Sequence, residues 1–356
     1  MRTRNVTMSY KVSLICLKVI SLSLFLLVFQ SARAQYDWSA LNAELEARQQ
    51  QLGKDIVVLI RKDDSLVFKK EIGQFNTKTQ APIASSSKWL TAALVMQFVD
   101  EGKLSLDTKV VDYIPEFGKY FKSYITIGDC LSHMTGIDDD DKFLKRILER
   151  KKYESLEEEV NALARKEIRA NRGTDFWYGG VGLNIAGRVL EIVSKKKFDM
   201  LIKQKLFVPL GLTRSSFTNL NGGPINPSGG AQSTADDYMK FLQMLFQKGK
   251  YNGKQILSED AVEEMLKVRT KNIPIRYAPK SATGYGYASG AWVLEEKDGV
   301  ATAIASPGLF GCWPMIDYCR GYTYLVFVKN LLGEERADIH KTLKTIIDEQ
   351  LTSKCQ

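Results

Sequence analysis

Hydrophobic positions change their spacing several times along this chain. Between Asp37 and Leu52 they fall at Trp38, Leu41, Leu45 and Leu52, which is helical spacing. Two strand-like runs follow, "DIVVLIRK" (55–62) and "SLVFKKEIG" (65–73), joined through Asp63-Asp64. From Ser85 to roughly Val268 the pattern is mostly helical, interrupted by Gly/Pro/Asn clusters such as "NLNGGPINPSGG" (219–230). Strand-like text then returns as "YGYASGAWVLEE", "GVATAIASPG", "GCWPMI" and "GYTYLVFVKN". A last helix is expected over about Glu335 to Leu351.

Strands gathered at both ends, with helices between, predict an α+β fold. The sheet lobe takes about 35–80 and 283–356, and the helical lobe takes about 81–282. A cleft between two such lobes is a common place for a site. The helix in "APIASSSKWLTAALVMQFVDEG" (81–102) is apolar on almost every face, yet it opens with three serines and a lysine. Polar groups at a buried helix start either cap it or do chemistry.

Residues 1–34 read as an export signal. Basic residues precede the apolar run "VISLSLFLLVF", and Ala32 and Ala34 form a small-x-small cleavage site, which predicts a mature start at Gln35. No later segment is apolar enough to span a membrane, so no stable insertion is expected after cleavage. Without the leader the charge argument weakens. It holds five of the 50 Arg/Lys and none of the 41 Asp/Glu, leaving 45 against 41, a net of +4 rather than +9. Nothing in that balance calls for nucleic acid. The "SKKK" run (194–197) reads as a solvated helix end, and "DDDD" (138–141) as a solvated loop.

Four cysteines remain: Cys130, Cys312, Cys319 and Cys355. There is no C-x-x-C pair and there are two histidines, His133 and His340, too few for a zinc site by spacing. A hairpin disulfide between Cys312 and Cys319, which flank "WPMIDY", is one expectation in an oxidising compartment. His340, in the terminal helix, is expected at the surface. No metal or organic cofactor is implied.

G-x-S-x-G, G-x-G-x-x-G and G-x-x-x-x-G-K-[ST] are all absent. What remains is Ser85-Ser86-Ser87-Lys88, an S-x-x-K. Three residues apart on a helix, Ser85 and Lys88 share a face and can meet. A lysine held there can take the proton that a serine must lose to attack a carbonyl. Free backbone N–H groups of the first turn can help bind an oxyanion. By spacing alone, N-capping by Ser85 is an equal alternative, and Ser194–Lys197 also matches the pattern in an exposed run. Ser86 and Ser87 are expected to cap or pack.

The stretches "IASSSKWLTAALVMQFVDEGKLSLDTKVVDYIPEF", "ITIGDCLSHMTGI", "FVPLGLTRSSF" and "GYGYASGAWV" resemble, in order, the serine β-lactamase and penicillin-binding-protein-like family, in its class C and esterase branch. The resemblance covers nearly the whole mature chain. It implies a five-stranded antiparallel sheet beside an all-helical lobe, with Ser85 as nucleophile and Lys88 as proton-handling partner. The family's Tyr-x-Asn motif matches Tyr178-Gly179-Gly180 in "FWYGGVGLNIAGRVLE", which implies Tyr178 as a general base. Packing within the "FWY" patch is the alternative for that tyrosine. Gly180 stands where the family usually has Asn, so a side-chain amide able to grip the substrate is lost. The third motif, Lys/His-Thr/Ser-Gly, falls on Ser306-Pro307-Gly308, or in a shifted register on Leu309-Phe310-Gly311. Either register keeps only a glycine and lacks the cation that binds a substrate carboxylate in the family. The N–H of Leu309 is a candidate second oxyanion donor. Arg320 and Lys329 are stand-in cations by nearness in sequence alone.

These residues predict a secreted serine hydrolase working through an acyl-enzyme on a small ester, amide or peptide substrate. The altered second and third motifs favour an ester. A D-amino-acid-directed peptidase or weak β-lactamase is a second reading. A non-catalytic protein that binds cell-wall or acyl ligands is a third. Oligomeric state is left open.

Overall fold

The structure is a computed structural model that describes residues 36–138, 150–219, 222–330 and 337–355. The export-signal reading of 1–34 lies outside the described residues, as do Asp139 to Asp141 of the acidic run. From Trp38 onward the chain forms one compact unit.

Seven antiparallel strands make the main sheet: β1 (Ile56–Lys62), β2 (Ser65–Ile72), β3 (Gly286–Tyr287), β4 (Trp292–Lys297), β5 (Val300–Ala305), β6 (Trp313–Asp317) and β7 (Tyr322–Val328). Their spatial order is β3-β4-β5-β6-β7-β1-β2, so the two ends of the chain meet where β1 pairs with β7, from Ile56 opposite Val328 to Lys62 opposite Tyr322. The α+β class and the closing of the sheet by both termini are as expected. The count is seven rather than five. Of the six strand-like runs, "YGYASGAWVLEE" alone makes two strands, because the chain turns at Gly290 (φ +83°), and each of the others, β2 included, makes one.

Five consecutive apolar residues of β1, Ile56 to Ile60, are buried because the sheet is covered on both faces. Val57 and Leu59 point into the helical lobe, together with Leu325 and Phe327 of β7. The terminal helices α1 (Ser39–Ala47) and α6 (Ala337–Glu349) cover the opposite face. His340 of α6 is buried there, its ring stacked on Trp313 with centroids 4.0 Å apart, and is not the surface residue its helix pattern suggested. The flat indole of Trp313 at the start of β6 gives that ring a partner the local sequence does not show.

The helical lobe is built around α2 (Ser87–Asp100), which is buried from Ser87 to Phe98. Packed with it are α3 (Leu156–Arg165), α4 (Val181–Ser194) and α5 (Ala235–Phe246). Helix α5 also lies on the sheet, where Gln243 donates to the Thr323 hydroxyl at 2.7 Å. Lys195 to Lys197 are exposed just past the end of α4, as the solvated reading of that run expects, with Lys195 left-handed at φ +56°. The disulfide joins Cys319 to Cys355, and Cys312 is a buried free thiol, so the Cys312–Cys319 hairpin bridge is not made. Cys312 lies just before β6 and faces the helical lobe, whereas Cys319 sits in the β6–β7 turn within reach of the C-terminal tail.

Candidate active site

The nucleophile turn is held from below by a small sheet in which Ala81 pairs with Ser233. Ile83 N–H continues that pairing to Ala231 O at 3.0 Å. At Ala84 the backbone turns left-handed, φ +46°, a costly conformation for a residue with a Cβ. A single 3-10 turn, Ala84–Ser86, then leads into α2. This kink leaves Ser85 half-buried at the start of the helix while Ser86 and Ser87 are fully buried. Neither helix start carries a side-chain cap from these serines, so the capping alternative for Ser85 is removed.

Ser86 and Ser87 instead tie the turn to its surroundings. Ser86 Oγ donates to Ser306 O at 2.7 Å, its carbonyl accepts from the Tyr238 hydroxyl at 2.8 Å, and Ser87 Oγ accepts from Ala231 N–H at 3.0 Å. Such buried, satisfied bonds hold the backbone around Ser85 in one place.

One helical turn on, Lys88 is 4% exposed. Its Nζ stands 3.1 Å from Ser85 Oγ and donates to Ser228 O at 2.9 Å. The expected Ser85–Lys88 contact is thus present, at the distance general-base transfer requires. Lys88 Nζ also lies 4.8 Å from the ring centroid of Tyr178. Tyr178 packs as the aromatic alternative expects, and it also borders Lys88. Its ring centroid lies 4.9 Å from that of Trp292 and 4.7 Å from that of His133. Behind it His133 is buried, its Nε2 3.0 Å from the Tyr287 hydroxyl. Burial, with the nearby Lys88 charge adding to it, pushes the His133 imidazole well below its ordinary value, so this ring is neutral.

Gly180 follows at the start of α4. A Cβ there would come within 2.9 Å of Ser228 Oγ, so any side chain at this position has to displace that hydroxyl. The segment after β5 packs against the turn that carries the nucleophile, at Ile83 and Ser86. A Cβ on Gly308 would lie 2.1 Å from Ile83 O, and Gly308 N–H donates to Cys312 O at 2.7 Å. Ser306 is a correction: it is 3% exposed, its hydroxyl donates to Gly290 O at 3.1 Å and its carbonyl accepts from Ser86, so its side chain faces the protein rather than a substrate. Leu309 is half-buried, and its N–H donates to no acceptor among the described residues. Arg320 is no stand-in cation. It is bonded to Asp317 at 2.9 Å and Glu295 at 3.0 Å in the ion-pair network beneath α6. Sequence reasoning missed Ser228, whose contribution is a main-chain carbonyl; the one signal was its place in the "NPSGG" turn.

An S-x-x-K pair on a buried helix, between an antiparallel sheet and a helical lobe, defines a class of serine acyl-transfer proteins. This chain belongs to the Beta-lactamase family, whose match spans residues 42–348. It is 34% identical over 142 residues to penicillin-binding protein 4 of Amycolatopsis lactamdurans, an alignment covering 37% of this chain and 34% of that protein. The chain spans about a third of the length of the curated relatives it first matches. Among solved structures it is similar to a putative β-lactamase from Bacteroides dorei, with TM-score 0.77 and 26% identity over 88% of this chain and 99% of that one. Its fold is also that of EstCE1, a hydrolase with promiscuous acyltransferase activity, at TM-score 0.68 and 18% identity over 87% and 100% of the two chains.

Proposed function

We propose that this protein is an exported serine hydrolase that acts through an acyl-enzyme and prefers carboxylic esters. The observation that carries the reading is the 3.1 Å approach of buried Lys88 Nζ to the half-buried Ser85 Oγ. With Lys88 as the free amine, Ser85 Oγ attacks the ester carbonyl carbon as its proton passes to Lys88 Nζ. The tetrahedral oxyanion is received by the N–H groups of Ser85 and Leu309. As the C–O bond to the leaving group breaks, the alkoxide takes the proton, with the Tyr178 hydroxyl completing the relay. Water then attacks the acyl carbon, gives its proton to the same groups, and releases Ser85 and the acid.

The ester preference rests on what surrounds these atoms. Ser228 occupies the space beside Gly180, and Ser306 offers no side chain and no cation toward the site. A substrate carboxylate or amide thus lacks the grips it would need, whereas an activated ester needs only the nucleophile, base and oxyanion donors. The Cys319–Cys355 bridge supports export, because such bonds persist in oxidising compartments.

The test is the intact mass of the protein after treatment with a fluorophosphonate, alongside Ser85→Ala. A single adduct on the wild type, absent from the variant, is expected, together with turnover of p-nitrophenyl butyrate exceeding that of nitrocefin and of a D-alanyl-D-alanine peptide. Turnover of nitrocefin or the peptide without ester turnover would reverse the substrate preference. A folded wild type that takes no adduct would favour a ligand-binding role.

A further inference from the structure

The carbonyl that receives Lys88 is the end of a buried polar chain leading away from Ser85. Ser228 N–H donates to Asn184 Oδ1 at 3.0 Å and to Asn226 Oδ1 at 3.2 Å, and its hydroxyl donates to Asn226 Oδ1 at 2.8 Å. Asn184, 3% exposed on the first turns of α4, donates through Nδ2 to Glu159 Oε1 of α3 at 2.9 Å. Glu159, 4% exposed, is ion-paired with Arg150. Arg150 in turn donates to Pro224 O and Ile225 O at 3.1 and 3.2 Å, so the chain closes on the loop that carries Ser228.

That loop is also wedged between helices. Pro227 O accepts from Thr91 Oγ1 of α2 at 2.6 Å, and a Cβ on Gly187 of α4 would lie 2.5 Å from Pro227 Cγ. The position of the Ser228 carbonyl is therefore determined from both sides. The polarity of the chain is determined as well. An ionised carboxylate only accepts, so the Asn184 amide must turn its nitrogen to Glu159 and its oxygen to Ser228 N–H. A buried carboxylate costs stability unless it is paired and bonded, and here its partners are Arg150 and the Asn184 amide.

We infer that Asn184 is a positioning residue for acylation: by holding Ser228 it sets where Lys88 Nζ stands against Ser85 Oγ, and Glu159 sets which way the Asn184 amide faces. The inference rests on the Ser85–Lys88 reading above. Displacing a general base from its partner lowers the rate of the step it serves, whereas substrate binding is unaffected.

The experiment compares Asn184→Asp, Glu159→Gln and the double variant in p-nitrophenyl butyrate hydrolysis across pH, with thermal melting of each. Asn184→Asp sets two carboxylates against each other and is expected to lower kcat by about tenfold or more, with KM within about twofold. The acid limb of its kcat profile is expected to move. Adding Glu159→Gln supplies a donor to the carboxylate introduced by Asn184→Asp, which still accepts Ser228 N–H, and is expected to restore kcat to within about threefold and return the limb. A wild-type kcat and limb in folded Asn184→Asp would overturn the inference, as would a double variant that melts normally without recovery. If Asn184→Asp does not fold, Asn184→Ser, too short to bridge, is expected to lose kcat in the same direction, and unchanged kcat there overturns the inference equally. Failure of the active-site reading itself is recognised separately: the wild type then takes no fluorophosphonate adduct.

Discussion

The Cβ position of Gly180 lies 2.9 Å from Ser228 Oγ. Backbone conformation does not demand glycine here, since φ is −100°, a value open to any residue. Space does. Installing the family's amide by Gly180→Asn must therefore push the Ser228 hydroxyl off Asn226, losing a buried hydrogen bond worth about 1 kcal/mol and disturbing the carbonyl that holds Lys88. The expected outcome is lower ester kcat/KM and a melting temperature reduced by a few degrees, not a gain of β-lactam turnover. Gly180→Asn with Ser228→Gly is expected to recover most of the melting temperature. Calorimetry and ester kinetics on the two variants check both points.

His133 makes stability depend on pH. Unfolded, its imidazole titrates near 6.5; folded, burial and then the Lys88 charge hold it well below. Between those two values the unfolded chain binds a proton that the native protein does not. Stability is therefore full above about pH 6.5 and falls as the pH drops through that window, by at most about 1.36 kcal/mol per pH unit. The titratable groups facing the ring are Lys88, Tyr178 and Tyr287, and burial pushes the Tyr287 hydroxyl well above its ordinary value, so it stays protonated throughout that range. His133→Gln, which does not titrate, is expected to show a smaller fall in unfolding free energy between pH 7.5 and 5. Urea denaturation at the two pH values measures it, and equal falls in both proteins would show that other groups set the acid sensitivity.

Most of the architecture was legible because every strand of the main sheet except β3 runs for five to eight residues. Ile56 to Ile60 reads as a strand even without alternation, since both faces of β1 are covered. The Ser85–Lys88 contact was legible because it is local, three residues apart on one helix. What could not be read is non-local or carries no side-chain signature. Ser228 acts through its main chain, and any residue in that turn offers a carbonyl. The Gly290 turn was hidden inside an unbroken strand-like run. The disulfide was sought between neighbours flanking a turn, whereas Cys319 finds its partner 36 residues on, brought back by α6. His340 looked exposed because its stacking partner, Trp313, belongs to a distant strand.

That bridge ties the β6–β7 turn to the tail beyond α6, reinforced by Lys354 N–H donating to Cys319 O at 2.7 Å. Closing a loop of this separation restricts the unfolded chain by roughly 3–4 kcal/mol on the chain-entropy account. Cys319→Ser with Cys355→Ser is expected to lower the melting temperature by several degrees and leave ester kcat within about twofold, because the bridge is remote in the fold from Ser85. Melting the wild type with and without a reductant gives the same comparison without mutation. A marked loss of kcat in the double variant would show that the tail supports the site.

Gly308 joins the sheet to the nucleophile turn, and its backbone has no room to give. The nearest atom to an added Cβ is Ile83 O at 2.1 Å, a main-chain group that no rotamer change removes. Gly308→Ala must therefore push the 306–309 segment away from the turn, weakening the 2.7 Å bond from Ser86 Oγ to Ser306 O and carrying Leu309 N–H with it. If that N–H is the second oxyanion donor, kcat falls by about a hundredfold or more while KM changes little. Overpacking adds a loss of about 1–3 kcal/mol in stability. Ser306→Ala separates the two effects: it removes the buried bond to Gly290 O without displacing backbone, so it is expected to lower the melting temperature and keep kcat. Should Gly308→Ala retain wild-type kcat despite a lowered melting temperature, the oxyanion must be held elsewhere than at Leu309.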